Sequence, residues 1–185
     1  VTVHQPDFPP GSLAKHRYFV ALRPPAEAVA EMERIQRRIA IADRVAPARL
    51  HMTLFITEDY ESEPSALGAR MHAALDRVRA DAFDLALDRI GHRGGSLVPA
   101  WAPALRRFQK SVAGALTGAG IAPRKEWAFN PHVTLGYDAL PAFAGRPIDP
   151  IAWRAQDFVL IHSLLRLTMH RTLGRWQLIE QPRLL

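Results

Sequence analysis

The stretch Leu50-His51-Met52-Thr53-Leu54-Phe55 is answered further along the chain by Pro131-His132-Val133-Thr134-Leu135-Gly136. Both read His-x-Thr-Leu inside a short apolar run. Side chains alternate between the two faces of a strand, so residues i and i+2 point the same way. Strict alternation puts His51, Thr53 and Phe55 on one face, and Leu50, Met52, Leu54 and Ile56 on the other. In the second copy His132 and Thr134 share one face, and Val133, Leu135 and Tyr137 the other. Each strand can bury its aliphatic face and present an imidazole beside a hydroxyl. The pattern predicts two strands lying side by side, with the four polar groups converging on one phosphate.

The composition bounds what such a site can be. The chain has 185 residues, 48% of them hydrophobic, which is enough for one core and argues against global disorder. It has no cysteine, which excludes disulfides, thiolate metal sites and a cysteine nucleophile, and suits a cytoplasmic protein. No apolar run approaches the ~20 residues of a membrane span, so no membrane partner is expected. The formal net charge of +6 favours an anionic partner such as RNA or a nucleotide. The excess is arginine spread along the chain, with no basic run.

Outward from the two motifs, the chain divides readily. Residues 1–16 are proline-rich and read as a loose tail, without the apolar core of a secretory signal. Tyr18-Phe19-Val20-Ala21-Leu22 is a buried strand, stopped by Pro24-Pro25, which also suits a helix start. Val29, Met32, Ile35 and Ile39 mark a helix. The acidic segment 57–65 is a loop in which Ser62 or Ser65 is placed to cap the next helix, striped by Leu67, Met71, Leu75 and Val78. Phe83, Leu85 and Leu87 alternate with Asp84, Ala86 and Asp88 as a half-buried strand, followed by a turn at Gly91–Gly95 and a short strand at Ser96-Leu97-Val98. Leu105, Phe108, Val112 and Leu116 form a third helix ended by Gly118 and Gly120. A proline-rich loop from Pro141 to Pro150 precedes a final apolar pair, Phe158 to Leu165 and Trp176 to Glu180. The order is β-α-β-α-β-β-α-β-β-β, read as one domain over residues 17–185.

Other chemistries lack their signatures. There is no His-Glu-x-x-His or Cys-rich spacing, and no carboxylate within either motif, so no metal or cofactor is expected at this site. There is no Gly-x-Ser-x-Gly elbow, and Gly91–Gly95 is not followed by the Gly-Lys-Ser/Thr of a phosphate loop. A third match, His170-Arg171-Thr172-Leu173, lies near a hairpin turn among Arg166, Arg171 and Arg175. It lacks the apolar run, so it reads as a solvent-facing strand end or an RNA-contacting edge. The bland reading of the first two motifs is a strand-forming threonine beside a half-buried histidine. Candidate base or RNA contacts are Phe55, which shares the His51 face, and Arg124 and Lys125 ahead of the second motif. Core packing is the alternative for Phe55 and the favoured role for Tyr137.

Two histidines beside two threonines suit the opening of a cyclic phosphodiester. One group must take a proton from water while another gives one to the departing oxygen, and imidazole does either near neutral pH. In-line attack asks that the two flank the phosphorus from opposite sides. Threonine hydroxyls would donate to the non-bridging oxygens, where charge must be stabilised.

These residues resemble a known family. Tyr18-Phe19-Val20-Ala21-Leu22, His51-Met52-Thr53-Leu54, Phe129-Asn130-Pro131-His132-Val133-Thr134-Leu135-Gly136 and Phe158-Val159-Leu160-Ile161-His162-Ser163 look like the 2H phosphoesterases, nearest the RNA 2′,3′-cyclic phosphodiesterases often labelled 2′-5′ RNA ligases. The resemblance implies an α+β fold of two pseudo-symmetric lobes, each an antiparallel sheet with flanking helices, and an active-site cleft between them. It implies metal-independent hydrolysis of 2′,3′-cyclic phosphate ends to 2′-phosphate, and reversible 2′-5′ joining of tRNA fragments; a monomer is expected. By motif match His51 and His132 take the catalytic positions, and Thr53 and Thr134 the phosphate-binding ones, with His132 favoured as base and His51 as acid. A nucleotide- or RNA-binding module that uses the same pocket with little turnover is the alternative. In the last hairpin, His170 stands where the family more often has an aromatic residue.

Overall fold

The computed structural model describes residues 15–99, 101–138 and 141–180. The expected N-terminal tail therefore falls almost wholly outside the described residues. Eight strands and three α-helices follow one another: β1 His16–Leu22, α1 Ala26–Arg38, β2 Met52–Ile56, α2 Leu67–Leu75, β3 Phe83–Ile90, β4 Ser96–Val98, α3 Pro103–Gly118, β5 Val133–Thr134, β6 Pro147–Ala155, β7 Asp157–Leu164 and β8 Met169–Gln177. The strands form one sheet in the order β6-β3-β4-β5-β2-β1-β7-β8, every neighbouring pair antiparallel. This is the expected α+β architecture: the sheet divides at the β2–β5 junction into two four-stranded halves, β6-β3-β4-β5 and β2-β1-β7-β8. The junction carries a single recorded residue pair, Met52 with Val133.

The helical stripes read from the sequence bury as their periodicity requires. Met32 and Ile35 of α1, Leu67, Met71 and Leu75 of α2, and Leu105, Phe108, Val112 and Leu116 of α3 join one core with Tyr18, Val20, Leu22, Met52 and Leu54. All three helices thus bury side chains against the same face of the sheet. Fully burying a Leu, Met or Phe side chain stabilises by roughly 1.5–3 kcal/mol, so this layer supplies most of the driving force. On the opposite face a smaller cluster, Phe19, Ala21, Val159 and Ile161, is backed by Ile56. That opposite face carries the two motifs. Among the described residues no helix is long and apolar enough to cross a membrane.

Three local expectations change. The segment read as a proline-rich loop contains β6, which begins at Pro147 and runs through Pro150. β6 pairs only with β3, and an edge strand tolerates residues that lack an N–H. Neither Ser62 nor Ser65 caps α2: its N-cap is Ala66, in a left-handed conformation and without a side-chain hydrogen bond. The third change lies in β2. Val20 pairs with Phe55 but Ala21 pairs with Thr53, so Leu54 is the extra residue of a β-bulge.

Candidate active site

The bulge at Leu54 decides which side chains reach the site. Up to Thr53 the alternation holds: His51 and Thr53 are half-buried on the open face and Met52 is sealed beneath. Past the bulge the phase is inverted. Phe55 turns into the core at 0% exposure, 6.5 Å from Trp127 ring to ring, and Ile56 comes to the site face. The expected base contact by Phe55 is thus replaced by core packing, and Ile56 lines the cleft instead.

The antiparallel pairing of Met52 with Val133, carried one residue in each direction, sets His51 opposite Thr134 and Thr53 opposite His132. Each imidazole therefore neighbours the hydroxyl of the other motif. The two histidines are also held alike. His51 Nδ1 lies 2.6 Å from the carbonyl oxygen of Arg49, and His132 Nδ1 lies 2.8 Å from that of Asn130. A carbonyl only accepts, so both rings carry their proton on Nδ1 and leave Nε2 available.

A cleft of about 220 Å³ opens over this junction. It is lined by His51, Thr53 and Thr134, together with Arg17, Phe19, Arg49, Ile56, Tyr137, Ser163, His170 and others. His132 is not among the lining side chains. It is half-buried, and close enough for its charge to act on His51.

Of the lining residues outside the expected set, three shape the site most directly. Arg49 has a buried Nε without a hydrogen-bond partner, a cation facing a space suited to an anion. Its signal is its position, two residues before His51, where its own carbonyl fixes the ring. Tyr137, expected in the core, is 69% exposed at the cleft. The cause is that β5 ends at Thr134. Gly136 bridges to Arg44, pressed so close that a Cβ there would overlap Ile41 and the Asp43 carbonyl oxygen, and the chain then turns out to solvent. His170 lies in the cleft and not at a solvent-facing end. Its ring stands edge-on to His51, centroids 5.6 Å apart, and edge-on to Phe19 at 5.3 Å.

Arg124 and Lys125 go elsewhere. Arg124 is ion-paired to Asp59, which Arg17 also grips at 2.6 and 2.7 Å, and its backbone N–H donates to the Ile56 carbonyl. The backbone N–H of Lys125 donates to the Glu58 carboxylate at 2.6 Å. Neither side chain lines the cleft.

The enclosure shifts the imidazoles. Phe19 stacks on His51 at 4.8 Å. Burial pushes His51 down to about 4, opposed by its hydrogen bond to Arg49 and assisted by the charges of Arg23, Arg49 and His132. His170 is likewise lowered to about 4, first by burial and then by His51, Arg49 and Arg23.

Residues 24–176 match the family model of the 2′-5′ RNA ligase superfamily. The chain belongs to this superfamily of 2H phosphoesterases. The fold agrees. LigT of E. coli, solved with 3′-AMP, superposes with a TM-score of 0.73 over 89% of this chain and 98% of its own, at 24% identity. A further solved phosphoesterase gives 0.67 over 88% and 98%, at 27% identity. TT0787 of Thermus thermophilus gives 0.68 over 87% and 97%, at 21% identity. LigT has also been solved with NADP+, ATP and phosphate. No curated protein matches the chain.

Proposed function

We propose that this superfamily member hydrolyses 2′,3′-cyclic phosphate ends of RNA or nucleotides to 2′-phosphates, with His51 and His132 as the acid–base pair and Thr53 and Thr134 as phosphate donors. The observation that carries the reading is the antiparallel register of the two motifs over one cleft, with each Nδ1 fixed by the carbonyl two residues before it. Water attacks phosphorus and loses a proton to one Nε2. The bond from phosphorus to the 3′-oxygen breaks, and that oxygen takes the Nε2 proton of the other ring, which enters the step as imidazolium and leaves it as neutral imidazole. Thr53, Thr134 and Arg49 stabilise the charge on the non-bridging oxygens.

Burial of His51 favours it as the proton acceptor, since its ring is neutral at pH 7 in the free protein. His132, more open to solvent, is then the donor. This reverses the roles expected from the sequence. The nucleotides found with LigT support a nucleotide or RNA end as substrate, and joining of RNA ends through a 2′-5′ linkage would use the same site, with a 5′-hydroxyl attacking phosphorus in place of water. We assign the protein to the cytoplasm as a monomer, one domain over residues 17–185.

The test is a panel of 2′,3′-cyclic substrates, from mononucleotides to tRNA fragments, assayed with EDTA present. The expected product is the 2′-phosphate. Tight binding without product would identify the chain as a binding module, and overturn the reading.

A further inference from the structure

A second cluster of ligating side chains lies on the other face of the sheet. Tyr18 pairs directly with His162, and His16 is two residues before Tyr18, so the three share the face turned to the helices. Ser163, next along β7, lines the catalytic cleft instead. Glu63 reaches the cluster from the loop between β2 and α2. His16 Nδ1 and His162 Nε2 are 2.9 Å apart, and the Glu63 carboxylate lies 3.8 Å from His162 Nδ1. One nitrogen of each imidazole and one Glu63 oxygen lie within 4.8 Å of one another.

We propose that His16, Glu63 and His162 form a divalent transition-metal site, with zinc as the fitting ion and water in the remaining position. Two imidazoles and a carboxylate are a donor set that zinc takes readily. At bond lengths of about 2.0–2.1 Å, tetrahedral ligand atoms sit about 3.3 Å apart, so the two nitrogens need to separate by only a few tenths of an ångström. Glu63 faces the Nδ1 side of His162 at 3.8 Å, so for an ion held at Nε2 its exposed side chain must swing round to complete the set.

The surroundings are built as an outer shell requires. His162 is 2% exposed, and the Tyr18 ring stacks on it at 4.5 Å with the planes 4° apart, which fixes its orientation. The Tyr18 hydroxyl donates to Glu63 at 3.3 Å. Hydrogen-bonded ligating carboxylates of this kind orient and tune a metal. The site would tie the start of β1 to β7 and to the 57–65 loop, as a structural clamp separate from the chemistry.

The test uses the full chain, stripped with EDTA and exchanged into chelator-free buffer, then titrated with Zn2+ by calorimetry and with Co2+ by visible absorption. The expected result is one ion per chain with a rise in Tm. His16→Ala and Glu63→Gln, both away from the buried centre of the cluster, should each weaken Zn2+ binding at least tenfold and remove the rise in Tm. His51→Ala should leave binding intact. No stoichiometric binding by the folded wild type, or binding unmoved by the first two changes, would overturn the proposal, as would loss of binding in His51→Ala alone. Because turnover is expected in EDTA, failure here leaves the catalytic reading standing.

Discussion

Met52 and Val133 are direct partners across the β2–β5 pair, and this one contact sets the register of both His-x-Thr motifs. An antiparallel pair has a local two-fold axis, so His51 is related to His132 and Thr53 to Thr134. The symmetry gives two equivalent imidazoles, and the environment then makes them different. His51 is enclosed by Phe19 and His170, while His132 is more open.

His51→Ala and His132→Ala should each cost roughly 10²–10⁴ in kcat/KM on a 2′,3′-cyclic mononucleotide, the usual weight of acid–base catalysis. Thr53→Val and Thr134→Val should each cost on the order of 10², as for loss of one oxyanion donor. His170→Ala, which removes no transferred proton, should stay within about tenfold of wild type. Steady-state assays of purified variants with matched circular dichroism check this. Activity that persists in both histidine variants removes the acid–base assignment.

The pH dependence follows from His51. A neutral base fails when protonated, so kcat/KM should hold through the weakly acid range and fall only as pH approaches about 4. Burial is the main cause of that low value, and Arg23 adds to it. Arg23 does not line the cleft. In Arg23→Gln the lost cation no longer opposes protonation, so His51 rises and the acidic limb moves to higher pH. A pH–rate profile with wild type and variant side by side decides it. A limb that stays or moves down excludes His51 as the base.

Where a signal is local, the sequence carries it. The helical stripes, the β3 alternation and the paired motifs each reside in a few neighbouring residues, and each appears in the folded chain. What is not legible depends on distant partners. No residue of the run from Met52 to Ile56 announces a bulge, and strict alternation therefore puts Phe55 on the wrong face. His170 lies among Arg166, Arg171 and Arg175 and outside any apolar run, yet pairing with Ser163 of β7 carries it into the cleft. Arg49 belongs to no motif, and only the fold shows that its Nε finds no partner.

Tyr137 stands exposed beside Thr134, where a nucleobase attached to a bound phosphate end would meet it. Base–aromatic stacking is worth about 1–3 kcal/mol per base. Tyr137→Ala should therefore raise KM roughly 5–150-fold with kcat little changed, and Tyr137→Phe should retain most of the affinity. A matched set of nucleotide substrates resolves the two parameters. An unchanged KM in the alanine variant shows that the base lies elsewhere.

The bulge itself rests on a buried glutamine. Leu54, the extra residue, lies in the core, and its carbonyl accepts a hydrogen bond at 3.2 Å from the Gln109 side chain of α3. A buried carbonyl without a partner costs about 1–3 kcal/mol. Gln109→Leu keeps the volume but removes the donor, so it should destabilise the fold by that amount, measured by urea denaturation. Without the donor the strand gains by returning to regular pairing, which would swing Phe55 toward the cleft and Ile56 away from it. Catalysis should fall with stability, and amide exchange in β1 and β2 should rise more than in β7. If Gln109→Leu is as stable and active as wild type, the bulge is held by core packing alone.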